Sequence, residues 1–500
     1  MSDQEHPNVL LIFTDQHRLS AVGAYGDTVC QTPNIDRLAE EGALFETAYT
    51  TCPLCSPARG TIMTGQYPHS NGVCSNVHNL GCSVHELSDR PGLLSRRLEA
   101  QGYRCGYSGK WHLGTEKETA FGSDIKPSLP KDVGFEGQNF PGHGGGGFDY
   151  PEYKEYLVKR GYEHNVRRSR KTDVELYGRL SGVLTGPVES TVPHFLAENS
   201  IDMMERFSEA GDRFFVWHNF WGPHIPYYCT EEFYDLYADV EIPEWPTYRW
   251  NAREIEGPHQ LKIHPLADEA SWEDWAEIVR CYYGFTSMID YEIGRMLDYL
   301  DESGLSENTV VIFTADHGQT LGSHGGLTDK GWSHFEEIQR IPFIVRMPEG
   351  QGGIEAGARM SEWVSLADVY PTVLELAGIE REDAERQGRS VVPLLKGEPV
   401  SWRDSIFVEF HGLGSMNASL VTVREGDIKY GWNCVGRDEL YDLETDPHQM
   451  HNVIDDPRYG DRLIRMRELI EDWMLETDYP GVQAYRASCL QRFSLKGWED

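Results

Sequence analysis

Cys55-Ser56-Pro57-Ala58-Arg59, followed by Thr64-Gly65, places a nucleophile-type side chain, a rigid proline and an arginine within one helical turn's reach. Cys55 and Arg59 are four apart, so if Pro57 opens a helix, where its missing N–H and fixed φ do no harm, both side chains project toward one end of it. That end suits an anion. Unpaired backbone N–H groups and the positive pole of the helix dipole favour a sulfate or phosphate, and Arg59 adds a permanently charged fork of donors. Hydrolysis of an anionic ester is the chemistry such a group could perform. Other readings of Cys55 stay open on the local sequence: a small buried hydrophobe, or, with Cys52, a C-x-x-C redox dithiol or half of a zinc site. No second C-x-x-C accompanies the pair, and the Cys-to-Arg spacing is too short for the anion-cradling loop of a thiolate phosphatase.

C-x-P-x-R followed by T-G resembles the signature of the type I sulfatases, within the alkaline phosphatase superfamily. The resemblance implies that Cys55 is not the final nucleophile: a formylglycine-generating enzyme oxidises it during maturation, and the hydrated aldehyde attacks sulfur. A gem-diol offers one hydroxyl to attack and a second whose deprotonation expels sulfate and restores the aldehyde, an exit closed to an ordinary Ser or Cys.

Two apolar runs, 8–13 and 309–314, have the pattern of strands buried on both faces. They end in Thr14-Asp15-Gln16-His17 and Ala315-Asp316-His317-Gly318, at the strand ends where open α/β sheets bind ligands. Asp in such a place is also an ordinary cap or turn residue. Asp15-Gln16 and Asp316-His317 resemble the metal-ligand pairs of sulfatases, with an oxygen of the modified Cys55 completing the shell. Hard carboxylate and amide oxygens suit a divalent cation that polarises an ester oxygen. Many family members have a second Asp where Gln16 stands, so this site carries less negative charge than the commonest version. Ca2+ is the expected ion, and the nitrogen ligand leaves Mn2+ or Mg2+ open.

Further cations follow other strand ends. Lys110 and His112, in Ser108-Gly109-Lys110-Trp111-His112-Leu113-Gly114, come just after a strand over 103–107, and on an extended segment they share a face. The resemblance implies that Lys110 bridges nucleophile and sulfate and that His112 contacts the aldehyde hydrate. His224 lies between two prolines beyond the strand 214–219, a stiff loop, and matches the family histidine that serves the scissile oxygen and the leaving group. Lys330 matches the lysine that binds a sulfate oxygen. Asn76 and His334 are candidates for the substrate side, set against a loop-turn asparagine and a plain surface histidine. His218 reads as a core histidine. Phe140 to Gly147 is glycine-rich but lacks the Gly-Lys-Ser/Thr ending of a phosphate loop, and reads as a mobile loop over the pocket.

The elements that must position these residues alternate strand and helix: a helix over Pro33–Glu41 follows the first buried run, and an amphipathic stretch 272–300 precedes the second. The expected fold is α/β, a mostly parallel doubly wound sheet over 1–400, with substrate-determining insertions at about 120–260. Shorter strands at 406–410, 419–423, 427–432 and 439–443 and a helix over 462–476 predict a smaller antiparallel α+β subdomain over 401–500. The 500 residues, 39% hydrophobic, suffice for a full catalytic core. A net charge of −35 argues against nucleic acid and anionic membranes as partners, and obliges an anionic substrate to find local cations. Ten scattered cysteines read as reduced, no apolar run reaches transmembrane length, and Met1 leads into the first strand without a leader pattern, so a cytoplasmic protein is expected. Oligomeric state is not legible. The expected activity is hydrolysis of a sulfated carbohydrate or other small organic sulfate. The alternative is a phosphonate monoester or phosphodiester hydrolase of the same superfamily, and the alternative from another class is the thiol redox or zinc module at Cys52 and Cys55.

Overall fold

Asn8–Thr14 is buried at every position, which accounts for its uninterrupted apolar run: a strand with a helical layer on each face has no solvent side to mark with polar residues. In the computed structural model, which describes residues 6–26, 29–79, 81–116, 126–163, 166–167, 176, 181–254, 256–380, 387–414 and 416–494, this strand lies near the middle of an eight-stranded sheet. The order across the sheet is Ala358–Met360, Ala43–Phe45, Phe343–Arg346, Thr309–Ala315, Asn8–Thr14, Arg213–Asn219, Tyr103–Gly109 and Glu136–Gly137. Only Phe343–Arg346 runs against its neighbours. Val9, Leu11 and Phe13 point to one core and Leu10 and Ile12 to the other, as the strand period requires. Helices Cys55–Thr64, Leu94–Ala100 and Val369–Leu376 close the first face; Pro33–Glu41, Val192–Glu209 and Trp272–Glu302 close the second.

Register does the work of bringing the site together. Thr14 pairs with Ala315, Phe13 with Asn219, and Gly109 with Asn219, so four adjacent parallel strands end level and release Asp316, Asp15, Asn219 and Lys110 along one edge. The C-terminal strands Ser405–Phe410, Leu420–Glu425, Ile428–Asn433 and Glu439–Asp442 form an antiparallel meander covered by helix Gly460–Glu476. The architecture is thus the expected α/β one, a mixed, mostly parallel sheet between helices plus an antiparallel sheet. A second closing helix, Val482–Ser494, has no counterpart in the sequence reading. No helix among the described residues is long and apolar enough to cross a membrane. Of the expected insertions, 117–125, 164–165, 168–175, 177–180 and 255 lie outside the described residues.

Candidate active site

The helix that carries Cys55 starts at Cys55 itself, two residues before the proline expected to open it, and stops at Gly65. Gly65 has φ +67°, and a Cβ there would meet the Tyr370 ring at 2.6 Å, so the T-G of the motif is a helix stop pressed against a neighbouring aromatic. At the other end Ser56 N–H donates to Asn76 Oδ1 (3.1 Å) and Ser56 Oγ to the His112 carbonyl (2.6 Å). These bonds fix the first turn.

Around Cys55, here the encoded thiol, ligand-type atoms of Asp15, Cys55, Asp316 and His317 all lie within 4.8 Å of one another, and all four residues are buried. Sγ is 3.7 Å from Asp15 Oδ1 and 3.5 Å from His317 Nε2. The His317 Nδ1–H donates to the Gly318 carbonyl (2.9 Å), which leaves Nε2 turned toward the cluster. Burial would raise the Asp15 carboxyl, but Lys110 and Arg59 beside it hold it well below the usual range. Asp316 goes the other way, pushed up to about 6 by burial and by the Asp15 charge. Its Oδ2 lies 3.7 Å from the Arg59 guanidinium and accepts no hydrogen bond. Two buried carboxylates, one with an unsatisfied oxygen, an imidazole nitrogen turned toward them and a sulfur or its oxidised successor form a donor set that fits a divalent cation.

Arg59 turns the two amino ends of its guanidinium to neighbouring strand ends. It is fully buried, and Nη1 donates to the Lys110 carbonyl and Asn219 Oδ1 (both 2.7 Å) while Nη2 donates to Asp15 Oδ2 (2.9 Å). It ties three strand ends together beneath the cluster. Lys110 Nζ is 2.7 Å from Asp15 Oδ2. Residues 110–112 are not extended, since His112 has φ +54°, so the shared face expected of Lys110 and His112 does not come from a strand period. Lys330 Nζ donates to Gln16 Oε1 (3.0 Å), and the other end of that amide donates to Asp329 Oδ1 (2.9 Å).

Beside the cluster opens a cavity of about 840 Å³ whose walls include Asn76, His112, His224, Lys330, Asp329 and Gln319. His224 donates Nδ1–H to the Ile225 carbonyl (2.6 Å), and burial with the nearby Lys330 and Lys110 keeps its ring neutral. His112 is likewise held neutral by burial and Lys110. His334, expected on the substrate side, does not line the cavity. Its ring is wholly buried, with Nδ1 2.7 Å from Thr422 Oγ1 and Nε2 3.1 Å from Asn433 Oδ1. A histidine that reaches the C-terminal sheet on both sides has no edge left for a substrate.

Cys52 packs among Leu54, Trp332, Phe410 and Leu420, and burial pushes its thiol well above the ordinary range, so it lacks the acidity of a redox thiol, and it belongs to no metal-ligand cluster among the described residues. Asn219, Asp329, His78 and His143 escaped the sequence reading. Asn219 was visible in principle as the polar end of a buried strand, and Asp329 as the neighbour of Lys330. His78, 3.4 Å from His112 Nε2, and His143, whose ring centroid is 5.0 Å from those of both His112 and His224, have no local signal. The glycine run that carries His143 does reach the cavity, through Gly142 and His143.

The sulfatase family model matches residues 7–379, and the model for the C-terminal part of N-sulphoglucosamine sulphohydrolase matches residues 322–475. The chain is 26% identical to an N-acetylglucosamine-6-O-sulfatase of Bacteroides thetaiotaomicron over 94% of this chain and 86% of that one. It is 28% identical to a choline-sulfatase of Rhizobium meliloti, over 90% and 83% respectively. Its fold superposes on the phosphonate monoester hydrolase of Agrobacterium radiobacter with a TM-score of 0.75 at 25% identity, covering 94% of this chain and 96% of the other.

Proposed function

The chain belongs to the sulfatase family and is a sulfuric ester hydrolase, and we propose that it cleaves a sulfated carbohydrate or other small organic sulfate at Cys55. The observation that carries this reading is the buried ring of Asp15, Cys55, Asp316 and His317 lying beside Lys110 and Lys330 at one sheet edge. Asp15, Gln16, Asp316, His317 and the matured Cys55 would hold one divalent ion, Ca2+ in this reading with Mn2+ or Mg2+ as alternatives; when bound it polarises the ester and acidifies the nucleophile. Formylglycine, made from Cys55 by a formylglycine-generating enzyme, supplies the hydrated aldehyde.

The remaining work falls to side chains already in position. Lys330, in the cavity wall, and Lys110, on Asp15, meet the sulfuryl oxygens and gain strength from their burial. Arg59 keeps Asp15 ionised and in line, so its role is to orient. His112 contacts the nucleophile side. Nε2 of His224 is left for the leaving oxygen, because Nδ1–H is committed to Ile225. The two lysines that hold that ring neutral are themselves offset once an anionic ester binds, and this raises the proton affinity of His224 where the leaving group needs a proton. Asn76 supports the substrate side from the cavity wall. Named relatives that act on N-acetylglucosamine 6-sulfate and on choline sulfate favour a small leaving group, the sugar being preferred for the hydrogen-bonding walls of the cavity. The reading takes residues 1–400 as the catalytic part and 401–500 as a subdomain; ten unbridged cysteines suit a reducing compartment.

Mass spectrometry of the peptide that contains Cys55 tests the reading directly: formylglycine is lighter than cysteine and resists iodoacetamide. Cys55→Ala is expected to abolish hydrolysis of an aryl sulfate. Full retention of activity in that variant would remove the nucleophile and the reading with it. The second reading, a phosphonate monoester hydrolase, is favoured by the superposition on that enzyme. It predicts that an aryl phosphonate monoester is turned over faster than the aryl sulfate.

A further inference from the structure

The side chain of Gln16 has two ends of nearly equal size and opposite chemistry. Only its oxygen can accept from an ammonium or approach a cation, so an unrestrained amide would present the wrong end about as readily as the right one. In this protein each end meets a group that permits a single choice. Lys330 Nζ, 3.0 Å from Oε1, can only donate. Asp329 Oδ1, 2.9 Å from Nε2, can only accept while ionised. Lys262 Nζ donates to the second Asp329 oxygen (2.8 Å), so an ammonium pairs with that carboxylate from its other side. Lys262 is itself placed by backbone, since its carbonyl accepts from Thr328 N–H (2.9 Å), two residues before Lys330. Gln16 and Asp329 both hold left-handed backbone, φ 62° and 68°, which residues with a Cβ adopt only where surroundings impose it.

We propose that Asp329, steadied by Lys262, is a positioning residue that locks the Gln16 carboxamide with its oxygen on Lys330, next to the cluster that the Gln16 backbone N–H joins through Asp316 Oδ1. The inference rests on the reading of that cluster as a metal centre. Without Asp329 the NH2 end loses its acceptor, and Lys330 alone is left to hold the oxygen end in place. Among the described residues no second acceptor is bonded to Gln16 Nε2 to replace the lost one.

The test uses the full-length mature enzyme, stripped with chelator and titrated with Ca2+ by calorimetry, alongside kcat and KM for an aryl sulfate. Asp329→Ala is expected to weaken Ca2+ binding about tenfold and to lower kcat more than KM rises. Asp329→Asn, which keeps the shape and one acceptor, should lie between, and serves if the alanine variant fails to fold. The decisive comparison is the Gln16→Glu background, where both ends are oxygens and orientation has no meaning. There Asp329→Ala should leave Ca2+ affinity unchanged or improve it, because it removes a like charge. An equal loss in both backgrounds, or none in either, would overturn the positioning role while leaving the metal centre intact. Failure of the stripped wild-type enzyme to bind Ca2+, Mn2+ or Mg2+ would instead overturn the metal centre, and the positioning role with it.

Discussion

Lys330 is the only lysine or arginine among the described residues that line the cavity, so a sulfuryl group bound as proposed would meet one permanent positive charge on that wall. Lys330→Ala is expected to lower kcat/KM for an aryl sulfate by about 10²- to 10³-fold, a loss on the scale of removing a preorganised charge donor, and to weaken inhibition by free sulfate in parallel. Steady-state kinetics with a sulfate inhibition series checks both; a change below tenfold would place the sulfate elsewhere. Asp15, Asp316, Lys110 and Lys330 were legible in the sequence because each follows a buried strand or a quotable motif. Their partners were not. Arg59 looked like an anion ligand because its spacing from Cys55 is visible, whereas the three acceptors that take its Nη1 and Nη2 come from strands far away in the chain. His334 and His143 show the same limit from opposite sides: one loop histidine ends in the core, the other on a cavity wall, and nothing within ten residues of either distinguishes them.

At the scale of elements, the periodic signals held and the junctions did not. Buried strands and the helix Trp272–Glu302 follow from apolar runs and helical spacing, while residues 110–112 turn through a left-handed His112 that no extended pattern announces. One junction has a measurable pH signature. The short helix Pro68–Asn71 is pinned by His69, whose Nδ1 lies 2.6 Å from Glu409 Oε2 on the first C-terminal strand and whose Nε2 lies 3.1 Å from the Thr477 carbonyl. Burial would lower the His69 pKa, but the Glu409 charge raises it above the ordinary value; burial would raise Glu409, but His69 draws it down to about 2. A raised histidine stabilises below its unfolded pKa of about 6.5 and loses that contribution as pH climbs through the folded value. A depressed glutamate stabilises above its unfolded pKa of about 4.3 and loses that contribution as pH falls toward 2. The pair therefore contributes most between about pH 4.5 and 6.5. His69→Gln should lower the thermal midpoint there, at a cost of about 3 kcal/mol, and the gap to wild type should shrink by pH 9. A gap independent of pH would mean that packing alone pins the helix.

For the whole molecule, a net charge of −35 surrounds a site built to receive an anion. Repulsion acts at long range and is screened by salt, whereas the buried lysine contacts are screened far less. Raising ionic strength from about 10 mM to about 150 mM should therefore increase kcat/KM for an aryl sulfate, mainly through KM. Stopped-flow or initial-rate measurements in an inert salt check the sign, and a decrease would show that the surface near the cavity steers substrate inward. The buried strands of the central sheet and the C-terminal meander were legible from strand lengths and spacing; their interlocking was not. The segment after Lys330 is anchored in the C-terminal meander by His334 on Thr422 and Asn433, by Glu336 on Lys429 (2.7 Å), and by Trp332 against Phe410. The C-terminal strands thus buttress the segment that carries Lys330, the charge proposed to meet the sulfuryl group. Truncation at residue 400 would not release a smaller working enzyme, and lesions in the meander should surface as lost turnover before they surface as lost solubility.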